Sequence, residues 1–139
     1  MKNGFSCAQA VSTAFCEDFG IDMAQAARMA SPFGGGMSRT GGVCGAVSGA
    51  LMVIGMKHGS SQPSDLEAKN KAYEAGKSFL KKFEEKCGSI SCPKLIGIDI
   101  SAPEGMKTAR EKGVFETICN NIVVDTIGIL EDMGIAARK

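Results

Sequence analysis

Gly42-Val43-Cys44-Gly45-Ala46-Val47-Ser48-Gly49-Ala50-Leu51-Met52-Val53-Ile54-Gly55-Met56 is the stretch whose reading decides the fold. It carries no charge. From Val43 to Met56 it runs 14 residues, interrupted by Ser48 and several glycines, well short of the roughly 20 apolar residues that cross a bilayer. It reads as a buried core helix over about 43–57. Gly45 and Gly49 lie four apart with Ala46 and Ala50 beside them, so one stripe of the helix lacks bulk and a neighbouring helix can approach unusually closely. This helix is expected at the centre. Its small-residue stripe serves an intrachain contact by default, with a dimer seam as the other use.

The flanking sequence is helical almost throughout. Ser6 with Gln9 has capping-box spacing, and apolar residues then recur at helical intervals to Gly20, which predicts a first helix over about 6–19. Asp22 with Gln25 opens a short second helix that ends before Pro32. Next comes Pro32-Phe33-Gly34-Gly35-Gly36-Met37-Ser38-Arg39-Thr40-Gly41-Gly42, a segment able to take positive φ and bring its backbone close to something else. Beyond the core helix, Ser64 and Glu67 form another capping box. Leu66, Tyr73 and Leu80 with Ala72, Phe79 and Phe83 then draw an apolar stripe on a charged helix ending near Cys87-Gly88. The charged run around Lys81–Lys86 is its solvated face, and Tyr73 is expected half-buried. A short turn starts at Pro93, a polar helix at Ser101 with Glu104, and a last helix covers about 121–133. Ile122-Val123-Val124 mimics a strand, but no partner strand is visible. The expectation is an all-α, compact single-domain bundle of five to seven helices around the Gly/Ala-rich one, spanning 1–139.

Composition agrees and excludes several classes of function. A chain of 139 residues with 44% hydrophobic and 22% charged residues can build one core. Lys plus Arg number 16 against 15 for Asp plus Glu, so no basic field attracts nucleic acid or anionic lipid. Neither nucleic-acid binding nor membrane insertion is expected. Met1 to Ser6 lack the apolar run of a secretory signal, and a cytoplasmic protein is expected. In a reducing compartment cysteines are more often catalytic, redox-sensing or metal-binding than permanently bridged. Six cysteines are too dilute for a disulfide scaffold and too many to pass over.

Their positions divide them. Cys7 and Cys44 fall in predicted first turns, Cys92 immediately before Pro93, and Cys119 just ahead of the last helix. Unpaired N–H groups and the positive end of the helix dipole stabilise a thiolate there. Cys16 and Cys87 fall late in helices, where the dipole opposes ionisation, and are expected to be inert.

Taken in order, Phe5-Ser6-Cys7-Ala8-Gln9-Ala10-Val11, Phe33-Gly34-Gly35-Gly36-Met37, Gly42-Val43-Cys44-Gly45-Ala46-Val47-Ser48-Gly49-Ala50, Gly88-Ser89-Ile90-Ser91-Cys92 and Cys119 form one constellation. It resembles a family of redox-active proteins named for a signature of one Cys, a Gly/Cys/Ala-x-x-Gly element and two further Cys. The resemblance runs from Phe5 to about Leu130. It implies that the family's four cysteines are Cys7, Cys44, Cys92 and Cys119, and that its glycine motif is Cys44 to Gly49. Val43 stands here where the signature is often written with glycine, and Cys16 and Cys87 receive no role.

These residues support thiol–disulfide exchange with a small-molecule or protein thiol or disulfide substrate. Cys44 would attack, because the preceding glycines allow close approach, and Cys92 or Cys119 would resolve the mixed disulfide. No cofactor is assigned. No C-x-x-C pair is present. Two other readings use the same residues. The four thiolates could hold zinc or an iron–sulfur cluster, although zinc sites usually include a closely spaced pair. Alternatively the chain is a non-enzymatic helical binding module, with segment 34–42 as an anion-binding concavity beside Arg39. His58, the one histidine, and the eight methionines read as structural.

Overall fold

The structure, a computed structural model, describes residues 4–136. Met1 to Asn3, part of the stretch read above for a leader, lie outside the described residues. Seven right-handed α-helices follow one another: α1 (Cys7–Phe15), α2 (Met23–Ala30), α3 (Gly45–His58), α4 (Leu66–Cys87), α5 (Cys92–Ile96), α6 (Pro103–Glu111) and α7 (Ile118–Asp132). The chain is all-α, and the described residues form no strand beyond one isolated bridge between Val43 and Ser91.

Local chemistry starts most helices where expected. Ser6 and Gln9 make the reciprocal capping box on α1: Gln9 N donates to Ser6 Oγ at 3.4 Å and Ser6 N to Gln9 Oε1 at 3.0 Å. The Gln9 side chain also donates to Ala27 O at 3.0 Å, which ties α1 to α2. Asp22 caps α2 through the N–H of Gln25. Two predicted caps are corrected. α4 is capped by Asp65, which accepts from Ala68 N, rather than by Ser64. α6 has no side-chain cap, because the Ser101 hydroxyl turns instead to the Asp99 carboxylate. α7 begins three residues earlier than expected, so Cys119 lies inside its first turn.

α3 is the centre of the bundle, packed on α1, α4 and α7. Its first six residues, Gly45 to Ala50, are all buried. The glycine stripe serves the contact with α1: a Cβ on Gly49 would lie 2.7 Å from Ala8 O, and one on Gly45 would lie 3.0 Å from Ala8 N. α4 adds Phe79 and Phe83, both fully buried, with ring centroids 5.8 Å apart. Each such ring contributes about 2–3 kcal/mol by burial. The N-terminal half of the predicted α4 stripe does not face the core. Leu66 and Tyr73 are 63% and 61% exposed, because a helix of 22 residues is about 33 Å long and overhangs the shorter α3.

The buried apolar residues fall into two clusters. The larger is built around α3 and contains Cys44; the smaller holds Cys92, Ile96, Ile100, Ala109, Val114 and Cys119. Cys7 packs against both. The helices thus carry the four signature cysteines to one seam.

The glycine segment is not an open loop. Gly35, Gly36, Met37, Ser38 and Arg39 all have left-handed φ, at 66°, 70°, 67°, 56° and 64°. Their backbone forms one left-handed turn, closed by Ser38 N and Arg39 N on Gly34 O. For L-residues this conformation costs roughly 1–2 kcal/mol each. Met37, Ser38 and Arg39 therefore carry strain that the surroundings hold in place.

Candidate functional site

Cys44 is the N-cap of α3 and Cys92 the first residue of α5. The isolated antiparallel bridge joins the two segments, with Cys44 N donating to Ile90 O at 2.7 Å and Cys92 N to Gly42 O at 2.9 Å. Cys44 therefore faces Ile90, and Cys92 lies diagonally across. Diagonal neighbours in such a bridge are roughly 7–8 Å apart, beyond the Cβ separation of roughly 4.5 Å that a disulfide spans. The left-handed turn presses against the same place, since a Cβ on Gly36 would lie 2.8 Å from Cys92 Cβ and 2.7 Å from Gly42 N.

Cys7 opens α1 and is the sulfur that links the others. It packs against both clusters, and its thiol lies beside those of Cys119 and Cys44, near enough to share its proton with either. A thiol has one proton to donate, so it serves one partner at a time. The proton is held firmly: hydrogen bonding to Cys119 and Cys44, then burial, push the Cys7 pKa far above the ordinary thiol value. The partners move the other way. The Cys7 hydrogen bond lowers Cys44 to about 7, against the opposing effect of burial and with help from the N–H groups of Ala46 and Val47. No side chain closes a full cap hydrogen bond on α3, so those amides act on charge at Sγ rather than as a tight cap for the neutral thiol. The same Cys7 contact lowers Cys119, opposed by burial, Cys44 and Glu116.

Helix starts are thus the lesser cause. The expectation that each of the four positions favours thiolate is corrected for Cys7 and Cys92. Burial, with the neighbouring Cys44 and Cys119 charges, pushes Cys92 up to about 12. Its helix has only five residues, and the dipole effect of so short a segment does not offset desolvation. Cys16, fully buried, donates to Thr13 O at 3.5 Å, and burial pushes its pKa up. Cys87 is half-buried at the end of α4 and is raised by burial, Asp125 and Cys44.

A cavity of about 730 Å³ opens onto this seam. Cys7, Cys92 and Cys119 line it, together with Arg39, Arg110 and Glu116. Cys44, the sulfur from which sequence reasoning launches the attack, does not; it is 4% exposed and sits behind Cys7. Sequence reasoning missed Arg110 and the role of Cys7 as common partner, because the first depends on where α6 lies along the cavity and the second on the packing of α7 against α1. Among the described residues, no three His, Cys, Asp or Glu side chains are arranged to hold a metal ion. His58 ends α3 as expected; partial burial, Lys71 and Lys57 hold its pKa down. No helix among the described residues is long and apolar enough to cross a membrane.

A family model described as "Putative redox-active protein (C_GCAxxG_C_C)" matches residues 5–133. No curated protein and no solved structure matches the chain.

Proposed function

The chain belongs to the C_GCAxxG_C_C redox family, and from that membership we propose that it carries out thiol–disulfide exchange through Cys119, Cys7 and Cys44. The observation that carries this reading is the position of Cys7, packed against both clusters between Cys44 and Cys119, whose acidity it raises. Cys119 is the attacking group, because it combines lowered pKa with a place on the cavity wall. Its thiolate bonds to one sulfur of a substrate disulfide, and the substrate S–S bond breaks. With Cys119 bonded to the substrate, the contact that did most to hold the Cys7 proton is gone, and the departing thiolate takes that proton. Cys7, now a thiolate, displaces the second substrate thiolate from Cys119, which picks up a proton from solvent. Two substrate thiols leave and the protein gains a Cys7–Cys119 bond, a balanced two-electron exchange.

Cys44 extends the sequence by one step. As a thiolate it can attack Cys7 within that bridge, forming Cys7–Cys44 and returning Cys119 as a thiolate. Cys92, whose acidity Cys7 does not raise, takes no nucleophilic step. The reading expects a cytoplasmic protein acting on a thiol or disulfide substrate, with no cofactor.

Mass-spectrometric mapping of thiol states at controlled redox potential tests it. Reversible bridges should contain Cys7 in every case, and Cys7→Ser should abolish them all. A reversible bridge without Cys7, or six thiols unreactive in the native state, removes the proposal.

A further inference from the structure

Two of the three thiols facing the cavity are buried, Cys119 at 5% exposed and Cys92 at 8%, and Cys7 is partly buried. A disulfide reaches them only on a molecule slender enough to enter a space of about 730 Å³. That is the size of a small-molecule site, roughly 300–1,000 Å³, and it excludes the globular body of a folded protein.

The charges on the wall are unequal. Arg39 and Arg110 line the cavity against one carboxylate, Glu116. The ion pair found among the described residues is Lys86 with Asp125, remote from this wall. A guanidinium is a permanent cation whose planar fork of donors matches a carboxylate. Arg39, moreover, is held in place. It ends the left-handed turn at φ 64°, and its stem lies over Gly35, where a Cβ would come within 2.7 Å of Arg39 Cγ. Strained backbone persists where the surrounding structure over-determines it, and it clusters at ligand clamps. Three non-glycine residues in succession are held in that conformation beside the site, and the last of them delivers a cation to its wall.

Resting on the exchange reading above, we propose that the substrate is a small disulfide bearing a carboxylate, which pairs with Arg39 and Arg110 while its S–S bond lies against Cys119. The chemistry is the two-electron exchange already written, with both substrate sulfurs leaving as thiols. Glu116 and the Cys119 thiolate offset the two guanidiniums in total charge, so selection of an anionic substrate rests on the local pairing of its carboxylate with Arg39 and Arg110 and not on the net charge of the wall.

The test compares dithiodipropionate, a dianion, with hydroxyethyl disulfide, its neutral counterpart. Reduced protein is mixed with each, quenched with acid, and the rate of internal bridge formation is read by mass spectrometry. The ratio of the two rate constants should fall about tenfold in the doubly substituted Arg39→Gln, Arg110→Gln protein, and in the native protein it should fall as added salt screens the arginines. Arg110→Gln alone leaves the left-handed turn untouched; it keeps the test available if the double variant does not fold, with a drop in the ratio of about threefold. Equal ratios in native and variant proteins overturn the substrate class and leave the exchange reading standing. No internal bridge with either disulfide removes both.

Discussion

Cys7 and Cys44 meet where α1 packs on α3, with the Cys7 thiol as donor and Cys44 as the sulfur it acidifies. Removing the donor should reverse the balance. In Cys7→Ala, burial of Cys44 is opposed only by the amides of Ala46 and Val47, so its pKa should climb from about 7 toward the ordinary thiol value. Ultraviolet thiolate absorbance against pH reads this directly. Cys7→Ser keeps a hydroxyl donor and should restore part of the depression; an unchanged titration in Cys7→Ala would show that the donor is something else.

Stability of the reduced protein should pass through a maximum near pH 9. The folded pKa of Cys44 lies below its unfolded value of 9.0, at about 7. Between those values the unfolded chain holds a proton that the folded one has lost, so stability rises with pH. The gain is on the order of 2–3 kcal/mol, and it is lost again as pH falls through about 7. Cys92 acts with opposite sign: its folded pKa, raised to about 12, withdraws stability as pH climbs above 9. Urea titrations at stepped pH under reducing conditions check the shape. A flat profile between pH 7 and 9 would remove the thiolate assignment.

Two glycines of α3 should respond to alanine in opposite directions. Gly49→Ala drives a methyl to 2.7 Å from Ala8 O and should cost about 1–3 kcal/mol while separating α1 from α3. Gly55→Ala meets nothing within 4 Å and should stabilise by about 0.5–1 kcal/mol through helix propensity. Denaturation midpoints separate the two. Gly49→Ala should also raise the Cys44 pKa, whereas Gly55→Ala should leave it in place.

In the left-handed turn, Gly36→Ala should be among the costliest single changes, at more than about 2 kcal/mol, because its methyl meets Gly42 N at 2.7 Å in a conformation L-residues resist. Met37→Gly should do the reverse. Met37 is 43% exposed, so little packing is lost, and relief of about 1–2 kcal/mol of backbone strain exceeds the flexibility cost of about 0.5–1 kcal/mol. A lower midpoint for Met37→Gly would show that its side chain contributes more than its strain.

Features set by near neighbours were legible in the sequence. The Ser6–Gln9 box, the stop at Cys87-Gly88 and the small-residue face of Gly45 and Gly49 depend on contacts a few residues apart or on the shape of one helix. Ser64 and Asp65 show the limit: both can cap, and backbone geometry rather than composition selects Asp65. The site was legible as a set of four cysteines but not as an arrangement. The acidity of Cys44 and Cys119 comes first from Cys7, a partner far along the chain. Helix starts, the local cue, rank below it. The left-handed turn was hidden for a similar reason. Three glycines signal permission for positive φ, but Met37, Ser38 and Arg39 resist it, and packing against Ser6, Cys92 and Gly42 holds them there.

Cys7 stands at the first turn of the first helix and Cys119 at the first turn of the last. A bond between them closes a loop of about 110 residues, and chain-entropy reasoning assigns such a closure about 4–5 kcal/mol. Folding and oxidation then form a thermodynamic cycle, in which whatever the bridge adds to the fold, the fold must add to the bridge. That energy corresponds to roughly 100 mV in a two-electron couple, so unfolding the chain would by itself make it a stronger oxidant. The protein's redox poise is in this sense a property of its whole topology, carried by the distance along the chain between two sulfurs that touch.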